Sequence, residues 1–519
     1  MNMQIREWGI EKSIKRLLWC GCIASTFFQL LLFPTVGVFA LCMMSLFVCF
    51  VYCHFFLKRD LFLRYPFASI VFISIFLYRY LPPIATLIDG NPVTIGIMSP
   101  IRLAVLETFA FLSFSLAFYC SIRFQKKNKL RDFWTRIGLF KPQSSVVYWI
   151  IGCVGVGCAY FRMMTMDNVE MGDAGGKFLN GLTYLRFVPL VMMFPSLFGL
   201  DSTKMPSKLS LYLWTFFMVI VGVGSNGRKN MIIPVVVVAL MLLLVWFIKG
   251  DYFSKIFSPV KAGFLLVLGI TFISVFSDLS LAMLNTRSIR SDVRGVDLLS
   301  STLEVYSDDA KMEHLWREKE RKEAMIVGYN EEWTETYVSS HFLNRYCNIR
   351  VSDECLYYAE RVDKRLMMGN FSQMIMFVLP TPVINSFFGG LDKSNLLYSR
   401  GDFLYATATM TPILAGYRVV SHVGDGMATF GYFCYVIFFL VYFVDFYLIN
   451  SLSCSEPGVP ILSVVGGAYV ADFLNFYCNA NGILKDINFA MRGYWQLILL
   501  YLLIVFIVSH IVRIFGVRS

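Results

Sequence analysis

The sequence predicts an all-α, polytopic integral membrane protein with about twelve transmembrane helices and one large, mostly helical loop. Two observations lead to this prediction. Of the 519 residues, 57% are hydrophobic and only 16% are charged, and the mean hydropathy is +0.62, values typical of a membrane protein. Many segments also run for about 17 to 23 residues almost without charge. At about 1.5 Å per residue, such helices cross a hydrocarbon core of ~30 Å.

The apolar runs divide the chain into three parts. Residues 1–284 form a membrane domain with about nine spans, 285–426 form the large loop, and 427–519 form a membrane domain with about three spans. The spans are predicted at residues 17–33, 35–57, 66–84, 101–121, 145–161, 183–200, 209–225, 231–249, 262–284, 427–449, 459–480 and 493–512.

The distribution of charge predicts the orientation. Residues 285–402 hold 15 basic and 18 acidic residues, which leaves 31 basic and 17 acidic residues elsewhere. The excess of basic residues therefore belongs to the membrane part of the chain, where it indicates membrane topology and not a nucleic-acid surface. The segment 123–141 alone holds seven basic residues. We expect both termini on the cytoplasmic side and the large loop outside.

The large loop has structure of its own. Residues 302–326 show a charged helical pattern, and 333–368 alternate aromatic with polar side chains that suit carbohydrate. Residues 371–388 are apolar, but two prolines make a continuous span unfavourable, and a re-entrant element is predicted. Cys347 and Cys355 either pair, if the loop faces an oxidising compartment, or stay free thiols.

Arg228 and Lys229 lie together in "GVGSNGRKNMIIP", residues 222–234. The predicted orientation places them outside, against the charge rule, so an anionic ligand is expected there. Gly227 allows close backbone approach, and a helix beginning near Met231 adds positive potential. An interfacial anchor is the plainer alternative.

Further arginines are expected at the same face of the membrane. Guanidinium groups suit bidentate recognition of phosphate or carboxylate, although solvated ion pairs are the alternative for the loop arginines. The candidate substrate-binding residues, besides Lys229, are Arg79, Arg186, Arg287, Arg290, Arg294, Arg345, Arg350, Arg400 and Arg418.

His422 lies at the entry to a predicted span, three residues before Asp425. A histidine can take a proton from a hydroxyl, and a nearby carboxylate can orient the ring. A structural histidine at a helix start fits these residues equally well. The sequence has no phosphate-binding glycine loop, zinc spacing or HExxH motif, so no metal and no cofactor are expected.

Several of these stretches together resemble one family. The order of motifs and the polytopic layout are similar to those of O-antigen polymerases of the Wzy type, and the glycine–arginine junction is also similar to that of O-antigen ligases. The stretches are "GVGSNGRKNMIIPVVVVAL", "NRYCNIRVSDECLYYA", "FVLPTPVINSFFGG", "YSRGDFLYATA" and "YRVVSHVGDGMATFGYF".

The resemblance implies a bacterial inner-membrane glycosyltransferase with a fold related to the C-type, lipid-dependent enzymes. Its expected partners are an undecaprenyl-diphosphate-linked oligosaccharide, membrane lipid and a chain-length regulator, and not nucleic acid. Arg228 would stabilise the departing diphosphate, and Lys229 would share this role, since Asn226 and Gly227 separate Arg228 from the Gly-Ser pair that it directly follows in many relatives. His422, aided by Asp425, would activate the acceptor hydroxyl. Four loop arginines would hold phosphate or glycan, namely Arg287, Arg290, Arg345 and Arg350.

Two other functions stay open on the sequence. An O-antigen ligase shares the chemistry and differs in its acceptor. A flippase or transporter of the same lipid-linked unit would carry intramembrane charges, paired helix breaks and internal repeats.

Overall fold

The fold is known from a computed structural model, which describes residues 9–125, 128–165, 174–225, 228–249, 275–286, 296–325, 329, 333–379, 398–414, 416–455 and 460–515. Within these ranges the chain is almost entirely helical. The strands found there are β1 (Ser453–Ser455) and β2 (Pro460–Leu462), which pair antiparallel. The predicted all-α class is confirmed.

The helices are named in chain order. The first half holds α1 (Gly9–Leu32), α2 (Val36–Val51), α3 (Arg59–Arg64), α4 (Pro66–Tyr80), α5 (Pro82–Ile88), α6 (Pro100–Phe124), α7 (Lys129–Ile137), α8 (Ser145–Thr165), α9 (Ala174–Leu182), α10 (Lys208–Gly224), α11 (Arg228–Lys249) and α12 (Val275–Asn285). The second half holds α13 (Val296–Ser307), α14 (Asp309–Met325), α15 (His341–Cys347), α16 (Arg350–Ala359), α17 (Lys364–Met376), α18 (Arg400–Thr409), α19 (His422–Phe430), α20 (Cys434–Asn450), α21 (Val464–Ala468), α22 (Val470–Leu474), α23 (Leu484–Asn488) and α24 (Tyr494–Ile514).

In the part of the chain that the structure describes, seven helices are long and apolar enough to cross a membrane. A multi-pass, membrane-embedded protein follows from these lengths. The segments are Glu11–Leu32, Val36–Phe56, Pro100–Phe124, Ser145–Arg162, Lys229–Phe247, His422–Asn450 and Leu484–Ile514.

One further predicted span is bent. α4 and α5 together pass the same length and hydropathy test, but they meet at an angle of 56°. Pro82 begins α5. Because proline has no backbone N–H and clashes with the preceding turn, it ends a straight helix at this point.

Two predicted spans are not continuous α-helices. Residues 183–200 form a 3₁₀ helix, Thr183–Met193, that contains Pro189, and a second short turn begins at Pro195. Residues 459–480 contain β2 and the two short helices α21 and α22, followed by turns. Hydropathy averaged over this second segment missed Asp472, Asn475 and Asn479, which make polar contacts.

Other predictions lie partly outside the described residues. Of the predicted span 262–284, the structure describes 275–284, which are helical, and of the predicted re-entrant segment it describes 371–379. The charged helical pattern at 302–326 corresponds to the end of α13 and to α14. Asp308 separates these two helices and accepts a hydrogen bond from the Lys311 N–H, as a helix cap does.

A second, smaller core lies outside the main bundle core. It joins α16 to α17, α18 and α19 through buried side chains that include Val351, Cys355 and Leu404. α16 and α19 pack closely at Gly424: a Cβ built at this position would lie only 2.1 Å from the Cβ of Cys355. Only glycine fits there. Cys347 and Cys355 are both buried and unpaired, so the alternative in which they form a disulfide does not hold.

Candidate functional site

Every N–H group of the Arg400 side chain, one of the predicted ligand-binding arginines, has a hydrogen-bond acceptor within the protein. It opens α18 beside a Ser399–Asp402 capping box, and its side chain is fully buried. Its Nε and Nη2 donate to Oδ1 of Asp425 at 2.9 and 2.6 Å, and its remaining N–H groups reach Asn370, Thr429 and the carbonyl of Met367. Because a guanidinium has five N–H donors, none is left for a substrate.

Arg79 is also committed to the protein. Its guanidinium pairs with the buried Glu107 at 2.6 Å and donates to the Tyr477 hydroxyl at 2.7 Å. It lies over the Tyr477 ring, 4.7 Å from the centroid. Neither Arg79 nor Glu107 is exposed. This pair joins α4 to α6 inside the bundle, so the guanidinium of Arg79, predicted as a substrate ligand, has protein partners in this structure.

Two loop arginines have partial partners. Arg350 donates to the carbonyl of Thr336, while its buried Nε has no partner. Arg418 donates to Asp402 at 3.0 Å and covers the ring of Tyr405. Each keeps N–H groups that hold no protein acceptor in the described contacts.

His422 forms a dyad, but with Asp486 and not with Asp425. Its Nε2 lies 2.6 Å from Oδ2 of Asp486, and its ring stacks on Tyr477 with centroids 4.3 Å apart. The Nδ1 atom is buried and has no partner. Asp425 is instead held by Arg400. The carboxylate that pairs with His422 in this structure is therefore that of Asp486, and not that of Asp425 as predicted, which balances the buried charge of Arg400.

The dyad has the form of a general base. A carboxylate that accepts from Nε2–H fixes the tautomer in which Nδ1 carries the lone pair. Asp486 was missed in the sequence. It lies in "LKDIN" next to an apolar helix, and an acidic residue in a membrane-length segment is itself a signal of function.

A second group of polar residues surrounds the start of α11. We define the cationic cluster as Arg186, Lys229, Arg345 and Lys485. Lys229 pairs with Asp472 at 2.5 Å. Arg345 donates to the Asn475 side chain at 2.9 Å, and Lys485 donates to the Asn475 carbonyl at 2.6 Å.

Several members of the cationic cluster lie close enough to interact electrostatically. Lys485 interacts with both Lys229 and Arg345, and Arg186 interacts with Asp472. Arg186 makes one long contact with Asn230, 3.4 Å, and its buried Nε has no partner. Asp472 acts on Arg186 and pairs with Lys229, while Asp486, which already pairs with His422, acts on Lys485, so in the described part of the chain two carboxylates face four cations. The cluster therefore has surplus positive charge.

The remaining predicted residues are only partly visible. Arg228 is the first residue of α11, three residues earlier than the predicted helix start, and its side chain is outside the described part. Arg287, Arg290 and Arg294 lie outside the described residues. Lys485, Asp472 and Asn475 were not predicted. For Asp472 and Asn475 the signal was their polarity within 459–480, which hydropathy assigned to the membrane; Lys485 follows that segment.

Glu354 is a buried carboxyl outside the membrane-length helices. One oxygen accepts from the Thr334 N–H at 3.1 Å, and the other has no partner. Burial raises the pKa of Glu354 to about 8, against a hydrogen bond from Thr334 and the charge of Arg350, which lower it. The side chain therefore holds a proton at neutral pH.

Glu354 makes stability depend on pH. The folded protein keeps a proton that the unfolded chain loses above its ordinary pKa of 4.5, so stability falls as pH rises from about 4.5 through about 8. We expect the thermal midpoint of the purified protein to fall over this interval, and Glu354→Gln to remove most of the fall. The control is Glu360→Gln, whose side chain is 57% exposed and pairs with Arg102. An unchanged pH profile in Glu354→Gln would contradict the assignment.

Comparisons with known proteins add nothing to this geometry. No family model matches the chain, and neither a curated protein nor a solved structure matches it.

Proposed function

We propose that this protein is a glycosyltransferase that joins undecaprenyl-diphosphate-linked oligosaccharide units at the outer face of a bacterial inner membrane, as an O-antigen polymerase does. The observation that supports this proposal most is the cationic cluster beside Arg228. Four neighbouring cations, two of which act on or pair with Asp472, suit a diphosphate whose lipid tail stays in the bilayer.

The cluster would act on the leaving group. When the bond between sugar and diphosphate breaks, negative charge builds on the phosphate oxygens. Lys229, Lys485 and Arg345 would stabilise that charge in a partly buried site, where electrostatic interactions are strong. Arg228 would add its charge at the first turn of α11, where the helix dipole is also positive.

The His422–Asp486 dyad would act on the acceptor. Nδ1 of His422 would take the proton of the acceptor hydroxyl, and the oxygen would then attack the anomeric carbon of the donor sugar. Asp486 would stabilise the imidazolium that forms. The proton leaves the acceptor, the bond to the diphosphate breaks, and one new glycosidic bond forms.

A transporter of the same lipid-linked unit is the second candidate, because of Asp445. This residue lies in the membrane-length segment His422–Asn450, is fully buried, and has no hydrogen-bond donor at either carboxylate oxygen. Intramembrane acids of this kind occur in proton-coupled transporters.

Deleting the gene in the host and separating its lipopolysaccharide by gel tests the proposal. A polymerase deletion leaves a single repeat unit on the lipid A core. A ligase or transporter deletion leaves no repeat unit there. A normal ladder of long chains in the deletion strain would exclude all three functions.

Loss of charge from the cationic cluster should reproduce the deletion in part. We expect Lys229→Ala and Arg345→Ala, expressed in the deletion strain, to lower polymer formation on the order of 100-fold each, as loss of one group that stabilises developing charge does. Arg64→Ala is the matched control, because it removes one exposed cation that pairs only locally with Asp60. Full-length ladders from both cluster variants would remove the cluster from the mechanism.

A further inference from the structure

Around α16 lies a group of aromatic side chains, which we define as the aromatic cluster: Tyr329, Trp333, Tyr357, Tyr358 and Tyr405. The Trp333 ring stacks on Tyr358 with centroids 5.5 Å apart, and the edge of Tyr405 meets both rings. Tyr358 is buried, while Trp333, Tyr357 and Tyr405 are partly exposed. The cluster therefore reaches from the small core to the surface.

Three buried polar atoms beside this cluster have no partner. They are Nε1 of Trp333, Nε of Arg350 and Oε2 of Glu354. Buried polar atoms in folded proteins nearly always have a hydrogen-bond partner, so three orphans in one place require an explanation.

The three orphan atoms belong to one neighbourhood. Arg350 and Glu354 lie one turn apart on α16, and Tyr358 follows one turn later. Thr334, the residue after Trp333, donates its backbone N–H to Glu354. Arg350 and Tyr358 both interact electrostatically with the Glu354 carboxyl. Two donors and one carboxyl oxygen therefore accompany an aromatic surface.

This combination matches the chemistry of a sugar. A pyranose ring has an apolar face that stacks on an aromatic ring, and hydroxyl groups that both donate and accept. The indole and guanidinium N–H groups would donate to hydroxyl oxygens. A protonated carboxyl can donate as well as accept, and it does not require a charged partner.

We propose that the aromatic cluster binds one pyranose unit of the acceptor oligosaccharide, with Trp333 as the stacking surface and Glu354 and Arg350 as hydrogen-bonding groups. The identity of this ligand as an acceptor rests on the proposed function. α16 packs against α19, the helix that begins at His422, where Gly424 meets Cys355. A sugar held at α16 is thus bound beside the helix of the proposed base.

The test measures binding directly. The probe is the oligosaccharide released from the host's lipopolysaccharide by mild acid, which carries no lipid and no diphosphate. It is titrated calorimetrically into the full-length protein in nanodiscs. We expect Trp333→Ala to weaken binding by roughly 10-fold or more, and Glu354→Gln and Trp333→Phe to weaken it by a smaller factor. Glu360→Gln is the control, and thermal unfolding of each variant checks its fold.

The outcomes separate this inference from the proposed function. If Trp333→Ala and Trp333→Phe are folded and bind the oligosaccharide as tightly as the wild type, the aromatic cluster is no sugar site, whatever the deletion strain shows. The same holds if the folded wild type does not bind it, in which case water satisfies the three orphan atoms. If binding depends on Trp333 but the deletion strain makes normal long chains, the sugar site stands and the polymerase proposal fails.

Discussion

Replacing Arg400 by methionine is expected to prevent stable folding. The change removes every hydrogen bond to the Asp425 carboxylate except a long contact with Thr429, 3.4 Å, and leaves the charge fully buried. Breaking a buried ion pair by deleting one partner costs about 3–5 kcal/mol. Arg400 connects α18 to Asp425 and Thr429 on α19 and to Asn370 on α17. Loss of its hydrogen bonds would therefore weaken the packing of the small core as a whole. The measurement is the amount of protein in the membrane and its thermal midpoint in detergent.

Arg418→Ala is the matched control for this prediction. Arg418 makes one ion pair, with Asp402, and its side chain is 24% exposed. Without the Arg418 side chain, the buried Asp402 carboxylate keeps its hydrogen bonds from Ser399 and from the backbone N–H groups of Tyr417 and Arg418, so a smaller loss of stability is expected. The structural assignment of Arg400 would be wrong if Arg400→Met accumulated and melted like Arg418→Ala.

His422→Gln is expected to abolish polymer formation without unfolding the protein. Glutamine can still donate to Asp486 from an amide N–H at nearly the position of Nε2, so the buried carboxylate keeps its partner. It cannot accept a proton as Nδ1 does. Loss of a general base lowers the rate about 10²- to 10⁴-fold. The measurement is the lipopolysaccharide ladder of the deletion strain that carries the variant.

A comparison of two His422 variants distinguishes a general base from a structural residue. His422→Ala would leave Asp486 unpaired and should lower both stability and activity, whereas His422→Gln should lower activity alone. A wild-type ladder from a normally abundant His422→Gln protein would show that the dyad is structural.

Hydropathy predicted the fold class and most of the long helices, because a span is a local property of about twenty residues. It failed where a local average hid a few decisive residues. Pro189 and Pro195 interrupt the predicted helix 183–200, and Asp472, Asn475 and Asn479 make polar contacts within 459–480, where the described residues form only short helices.

The candidate site was less accessible to sequence reasoning, because pairing is a property of the folded chain. Arg79 and Glu107 are 28 residues apart, and Arg400 and Asp425 are 25 apart. Neither separation is the three or four residues that would predict a contact on one helix. An arginine that binds phosphate and one that balances a buried carboxylate look alike in a sequence. His422 was identified as a candidate base, but the structure was needed to find Asp486, 64 residues away.

Reconstitution tests the central claim most directly, namely that the cationic cluster and the dyad join lipid-linked units. The purified protein in liposomes is given one undecaprenyl-diphosphate-linked repeat unit, with no nucleotide sugar, and the products are separated by mass. The account predicts products of two and more repeat units with release of undecaprenyl diphosphate, both lost in His422→Gln and strongly reduced in Lys229→Ala. Unchanged starting material with the wild-type protein, or equal product from both variants, would contradict it.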